Sequence, residues 1–180
     1  MKIVVIGVGN ILFMDEGAGV YASKMLTENY TFEPEIKIID GGTPGFKLMD
    51  YFQDCDKVII LDTLSIKDRP GSVYDLPAEA LIGLGNYRQT AHEVEVVRML
   101  EICSILDKTA AVNILGIIPE DIRKVRINLS RTLKKNIPML VDKSILRLQD
   151  AGITVRPKPV QQNIDEIIAV YNQPVCPPAQ

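Results

Sequence analysis

The chain has 180 residues, of which 47% are hydrophobic and 24% charged, and its net charge is −3. This size and composition are typical of a single globular domain with one substantial core. A slightly acidic chain without a basic stripe is a poor binder of nucleic acid. Its apolar runs are far shorter than the roughly 20 residues that span a bilayer. We therefore expect neither a nucleic-acid partner nor a membrane segment.

The three cysteines, Cys55, Cys103 and Cys176, lie far apart in the sequence. They show no CxxC or zinc-ribbon spacing, so neither a disulfide framework nor a cysteine metal site is predicted. This usage fits a reducing compartment, and we expect the protein in the cytoplasm.

The first part of the chain predicts two strands and two helices. The β-branched run at 2–8 is typical of a strand buried on both faces of a parallel sheet, and a helix is predicted at 16–29. A second strand covers 35–40. The sequence DGGTPG then makes Thr43 the N-cap of a helix that runs to about Phe52.

The middle of the chain continues the alternation. The apolar run at 57–63 predicts a third strand, and the sequence RPGSVYDL predicts a turn followed by a short edge strand. Helical periodicity appears at 92–106, and another buried strand is predicted at 111–118. A long helix at 130–152 is expected to bend at Pro138 and to stop at its terminal glycine.

The composition changes at Ile153, after which prolines are frequent. We therefore divide the chain into an α/β domain at 1–152 and a Pro-rich tail at 153–180. The tail is expected to be mobile or loosely docked, with one short helix at IDEIIAVY.

Strands that alternate with helices predict an α/β fold, a three-layer α/β/α sandwich around a mostly parallel sheet. Ligands in such folds bind beyond the carboxyl ends of the strands. The polar or glycine residues that follow the predicted strands are therefore expected on one rim, together with the single histidine, which opens a helix. They are Asn10, Asp15, Glu16, Asp40, Gly41, Gly42, Thr43, Asp62, Thr63 and His92.

The sequence GVGN after the first strand resembles a nucleotide-binding loop, but the pattern is incomplete. A dinucleotide fingerprint requires a third glycine where this chain has Leu12. Asp15 and Glu16 follow closely and would repel a pyrophosphate. A G-x-x-x-x-G-K-[ST] loop is also absent from the sequence. The motif therefore fails as a phosphate cradle.

A divalent metal is the better partner for this rim. Carboxylates and one imidazole form a mixed oxygen and nitrogen set that suits Ni²⁺ or Zn²⁺. Structural roles stay open for each residue: Asp62 as a helix cap, Glu16 in the favourable first turn of a helix, and His92 bonded to backbone. The sequence HEVEV is not a zincin motif, because Val96 stands where a second histidine is required.

Taken together, these motifs resemble the hydrogenase maturation proteases. The matching segments are IGVGNILFMDEGAGV, DGGTPG, IILDT, the lone histidine that opens a helix after the PGSV turn, and GIIPE. Members of this family are endopeptidases that trim the C-terminal extension from the nickel-bearing large subunit of [NiFe] hydrogenases. The resemblance covers roughly residues 1–150 and leaves out the tail. It implies a monomer with a twisted, mostly parallel sheet.

The resemblance also implies roles for individual residues. Glu16, Asp62 and His92 would bind nickel, which is carried by the substrate, the precursor of the large subunit. Position 16 is Glu where many members have Asp, a change that keeps a carboxylate ligand. The loop that begins at Asp40 and ends at Thr43 would recognise and help to cleave the substrate.

Hydrolysis would follow from a metal-polarised carbonyl or from a water activated by a carboxylate. The sequence does not decide which carboxylate is the general base, and Asp40 is the first candidate, with Gly41, Gly42 and Thr43 binding substrate. A non-proteolytic nickel chaperone or sensor could use the same three ligands. A nucleotide-binding α/β domain is the weaker alternative.

Overall fold

The computed structural model describes residues 1–42, 49–78 and 110–173, together with Ala80 and Glu101. The N-cap Thr43, the candidate ligand His92 and, apart from Glu101, the helix predicted at 92–106 lie outside these residues.

A mostly parallel sheet forms the centre of the fold. The strands of the described residues are Ile3–Val8 (β1), Tyr30–Glu33 (β2), Lys37–Gly42 (β3), Lys57–Thr63 (β4), Val73–Pro77 (β5), Ala111–Ile117 (β6) and Thr154–Pro157 (β7). Five of them form the central sheet in the order β3-β1-β4-β6-β5. The edge strand β5 runs antiparallel to β6, and the other neighbours are parallel. Every residue of β1 is buried, as its continuous apolar run predicts.

The register of the sheet brings the polar strand ends to one edge. Gly7 of β1 lies opposite Asp40 of β3 and Leu61 of β4. A bulge follows in β3, because Val8 pairs with Gly42. Since β3, β1, β4 and β6 run in the same direction, their carboxyl ends meet at a single edge, as the sequence predicts.

Helices cover both faces of the sheet. Those of the described residues include Ala18–Asn29 (α1), Met49–Asp54 (α2), Arg131–Asp150 (α3) and Ile164–Tyr171 (α4). Side chains of α1, α3 and α4 form a core with one face, and Phe52 of α2 is buried against the other. This arrangement confirms the predicted α/β/α sandwich. Within the described ranges, no helix is long and apolar enough to cross a membrane.

Some boundaries differ from the predicted ones. Helix α1 begins at Ala18, because Met14–Gly17 forms a separate 3₁₀ turn. Strand β3 begins at Lys37 and continues through the glycines of the DGG sequence. Helix α3 begins at Arg131, one residue after its predicted start, because Ser130 is the N-cap and its hydroxyl accepts a hydrogen bond from the Leu133 N–H at 3.2 Å.

The expectation of a loosely docked tail is wrong for residues 154–171. Strand β7 pairs antiparallel with β2, which the sequence analysis did not predict, and Ile167 and Ile168 of α4 are buried in the core beneath α1. The Asn29 side chain bonds both backbone groups of Gln162, at 2.9 and 2.8 Å. The frequent prolines suggested a loose segment, but Pro157 lies at the end of β7, where it does not interrupt the pairing.

Candidate active site

Two glycines allow the first loop and α1 to pack directly on the strand ends. Gly9 has a φ of +139°, and a Cβ there would lie 2.0 Å from the carbonyl oxygen of Glu16. A Cβ on Gly19 would lie 2.0 Å from the carbonyl oxygen of Leu61 and 2.4 Å from that of Val8. Gly9 of the GVGN sequence and Gly19 of α1 therefore both serve close packing of the backbone.

Glu16 lies in the 3₁₀ turn between the loop and α1. The turn contacts β4, and the Glu16 side chain is half-buried. Asp62 lies near the end of β4 and is 3% exposed, with one carboxylate oxygen 2.7 Å from the N–H of Thr63. Two of the three predicted ligands are thus at the same edge of the sheet, while His92 lies outside the described residues.

The described residues do not by themselves form a metal centre. No group of three or more His, Cys, Asp or Glu side chains that could hold a metal ion occurs among them. Glu16 and Asp62 supply oxygen ligands only, so a borderline ion such as Ni²⁺ would require the nitrogen of a third residue. The assignment of Glu16, Asp62 and His92 as nickel ligands stays a prediction.

Asp40 lies beside an open cleft at the same edge. Its carboxylate accepts a hydrogen bond from the Gly42 N–H at 3.1 Å and one from the Tyr171 hydroxyl at 3.4 Å. The Gly9 N–H donates to the Gly42 carbonyl at 3.0 Å, which fixes the two loops against each other. The cleft has a volume of about 420 Å³ and is lined by Gly9, Asn10, Ile11, Leu12, Val20, Asp40 and Gly42.

The Tyr171 hydroxyl connects the C-terminal helix with this cleft. Its ring packs edge-on against that of Tyr21, with the centroids 5.5 Å apart and an interplanar angle of 83°. Burial and the nearby Asp40 carboxylate raise the pKa of Tyr171 to about 12, so the hydroxyl stays protonated and can donate to Asp40.

Asp40 and Asp62 do not share one site. Asp40 and Leu61 are in register across Gly7, so their side chains share a face of the sheet. Asp62 follows Leu61, and alternation along the strand turns its side chain to the opposite face. With β1 between their strands, the two residues are separated by two strand spacings, roughly 10 Å. The side chains of Asp40 and Asp62 therefore lie on opposite faces at this edge of the sheet.

Asp15 has a role that the sequence analysis did not identify. Its side chain is completely buried and accepts hydrogen bonds from three backbone N–H groups: those of Glu120 at 2.9 Å, Asp121 at 3.0 Å and Ser130 at 2.6 Å. A buried carboxylate requires such partners. The sequence shows an acid beside Glu16 but gives no sign that its partners lie more than a hundred residues away.

A family model described as hydrogenase maturation protease matches residues 20–147. The chain belongs to the hydrogenase maturation protease family. This assignment confirms the resemblance seen in the motifs, and it makes the chain a peptidase.

Known relatives of this protease have similar sequences and folds. The hydrogenase 2 maturation protease of Escherichia coli K12 is 29% identical over 160 residues, covering 88% of this chain and 97% of its own. The hydrogenase expression/formation protein HoxM of Cupriavidus necator is 28% identical over 143 residues, covering 78% of this chain and 71% of its own.

Solved structures of maturation proteases also match. The hydrogenase maturating endopeptidase HybD from E. coli superposes with a TM-score of 0.82 at 29% identity, covering 88% of this chain and 98% of its own. The [NiFe] hydrogenase maturation protease HybD from Thermococcus kodakarensis gives a TM-score of 0.67 at 26% identity, covering 82% and 99%. At 88% coverage the match must extend beyond Gly152, so part of the segment assigned to the tail belongs to the shared fold.

Proposed function

We propose that this protease removes the C-terminal extension from the nickel-loaded precursor of a [NiFe] hydrogenase large subunit. The observation that carries the proposal is the packing of the Glu16 turn on β4, which brings Glu16 to the strand end at which Asp62 lies. These two carboxylates and His92 would bind the nickel presented by the substrate. A precursor without nickel would lack this anchor and would not be cleaved.

The cleft beside Asp40 is the proposed site of peptide cleavage. Asp40 is exposed, and its carboxylate faces a cleft open to solvent, so it can accept a proton from a water that attacks the scissile carbonyl. Gly41 and Gly42, together with Thr43, would bind the substrate backbone. The separation of roughly 10 Å between Asp40 and Asp62 leaves room for the peptide between the anchored metal and the bond that breaks.

We propose the cytoplasm as the compartment and a monomer as the active form. The spacing of the three cysteines, which shows no disulfide framework, supports a reducing environment. Within this proposal the nickel belongs to the substrate, and the enzyme need not carry a metal of its own.

The test compares nickel-loaded and nickel-free large-subunit precursor, each incubated with the protease and followed by mass spectrometry. We expect a C-terminal peptide to be released only from the nickel-loaded form. Glu16→Gln should lower both nickel-dependent binding and cleavage at least about a hundredfold, because a charged ligand is lost. Asp40→Asn should keep the binding but lower cleavage by about 10² to 10⁴, the usual contribution of a general base.

Glu28→Gln is the matched control, since Glu28 lies at the far end of α1 in a surface ion pair with Lys24. It should cleave like the unmodified protease. Equal cleavage of both precursor forms would refute the recognition of nickel, and full cleavage by Asp40→Asn would refute the assigned base. Nickel-dependent binding without any cleavage would favour a chaperone or sensor.

A further inference from the structure

Asp15 joins two segments that are distant in the sequence. Its carboxylate accepts hydrogen bonds from backbone N–H groups at both ends of one loop. The donors are Glu120 and Asp121 at the start and Ser130 at the end. Its own N–H donates to the Asp121 carbonyl at 3.1 Å. The residues from Pro119 to Ser130, here called the clamp loop, are therefore held against the turn that carries Glu16.

The clamp loop also holds the backbone just before Asp15. Met14 donates its N–H to the Arg126 carbonyl at 3.2 Å, and the Arg126 N–H donates to the Leu12 carbonyl at 2.8 Å. Met14 has a φ of +50°, a left-handed conformation that costs a residue with a side chain about 1 kcal/mol or more. Such a conformation persists where the surroundings determine it, and here the clamp loop supplies the bonds on both sides of it.

We propose that Asp15 is a positioning residue, which fixes the backbone of the Glu16 turn through the clamp loop and so sets where the Glu16 carboxylate meets the substrate's nickel. The inference rests on the proposed function, in which Glu16 binds that nickel. Glu16 follows Asp15 directly, within the same 3₁₀ turn, so a displacement of Asp15 moves the origin of the Glu16 side chain. The Asp15 carboxylate accepts three backbone N–H groups and is fully buried, which leaves metal binding to its neighbour.

A double-mutant cycle on nickel-dependent binding tests this role. Asp15→Asn keeps the size of the side chain but replaces one acceptor oxygen with an NH₂ group, which donates and cannot accept an N–H group of the clamp loop. The dissociation constant of the nickel-loaded precursor is measured by calorimetry for the unmodified protease, Asp15→Asn, Glu16→Gln and the double variant. The nickel-free precursor is the blank. We expect Asp15→Asn to weaken binding at least about tenfold, and Glu16→Gln at least about a hundredfold as above. The double variant should bind within about twofold of Glu16→Gln, since residues that act through one another are not additive.

A second pair of variants leaves Asp15 and Glu16 unchanged. Ser130 has a φ of −60°, which proline can adopt, so Ser130→Pro removes the N–H that bonds Asp15. Ser130→Ala keeps that N–H, and both variants lose the hydroxyl cap of α3. Ser130→Pro should therefore weaken nickel-dependent binding several-fold relative to Ser130→Ala. This pair decides the question if Asp15→Asn does not fold.

Asn29→Ala controls for a general loss of stability. The Asn29 side chain is also buried and also bonds a distant backbone, that of Gln162, but away from the cleft. The Asn29→Ala variant should have a lower melting temperature but unchanged nickel-dependent binding. Full additivity of Asp15→Asn and Glu16→Gln, or equal binding by the two Ser130 variants, would overturn the positioning role alone. Unchanged binding by Glu16→Gln would overturn this inference and the proposed nickel recognition together.

Discussion

Gly9 shows how a single residue can decide the use of a motif. The GVGN sequence resembles a phosphate loop, yet the glycine serves to let the Glu16 carbonyl approach the chain after β1. Leu12 stands where the phosphate-binding pattern requires its third glycine. Its side chain lines the cleft and is 49% exposed. The motif thus builds a carboxylate-bearing turn at the place where related patterns bind an anion.

Gly9→Ala should destabilise the fold by about 3 kcal/mol or more, because the methyl group would meet the Glu16 carbonyl at 2.0 Å in a left-handed conformation. Gly152→Ala is the control. Gly152 has a φ of +83°, but a Cβ there would meet no described atom within 4 Å, so about 1 kcal/mol of backbone strain is expected. Urea unfolding measures both, and similar losses would contradict the role assigned to close packing.

The sequence could predict which residues reach the rim, because the strands are strongly apolar and Asp40 and Asp62 stand at their ends. It could not predict that these two side chains lie on opposite faces, since that depends on the register of β3, β1 and β4. Nor could it assign Asp15, whose partners are 105 to 115 residues away. Local sequence patterns predict a strand or a helix, whereas the geometry of the site depends on pairing between residues that are far apart in the sequence.

At the scale of elements, the C-terminal segment differs most from its prediction. The short helix at IDEIIAVY forms as expected, with a capping box between Asn163 and Glu166. Its docking was missed, because the β7 sequence is too short to show a clear alternation and its partner β2 was not recognised. The segment is part of the core on the α1 face.

Ile167→Ala should therefore cost about 2–4 kcal/mol of unfolding free energy, since the side chain is fully buried in the core. The matched change on the same helix is Val170→Ala, which should cost less than about 0.5 kcal/mol because Val170 is 44% exposed. Chemical denaturation distinguishes the two. A loosely docked helix would instead give small and equal effects.

At the scale of the whole molecule, alternating strands and helices were enough to predict the layered fold, and the matched HybD structure agrees with it. The strand order was not predictable, because it depends on which distant strands pair. The C-terminal helix α4 packs on the first helix, α1, where Tyr171 contacts Tyr21. Because of these two tyrosines, the free energy of unfolding is expected to fall at alkaline pH.

Burial raises the pKa of Tyr21, and burial with the Asp40 carboxylate raises that of Tyr171 to about 12. Because both pKa values are raised, their stabilising effect is complete below the unfolded value of about 10 and is lost as the pH rises above it. For Tyr171 the loss continues until about pH 12. Tyr171→Phe should reduce the fall in unfolding free energy between pH 9 and 11 by about 1 kcal/mol. Urea unfolding at several pH values measures this fall, and an identical fall in both proteins would refute the assignment.

The position of β1 has a consequence for biosynthesis. It is synthesised before both of its neighbours in the sheet, because β3 and β4, between which it lies, follow it in the chain. One of its edges stays unpaired until residue 42 has been made, and the other until residue 63. Unpaired apolar strands are templates for wrong pairing. The nascent protein therefore exposes an apolar strand until β4 has been made, and its core closes only after α4, synthesised last among the described helices, has docked on Tyr21.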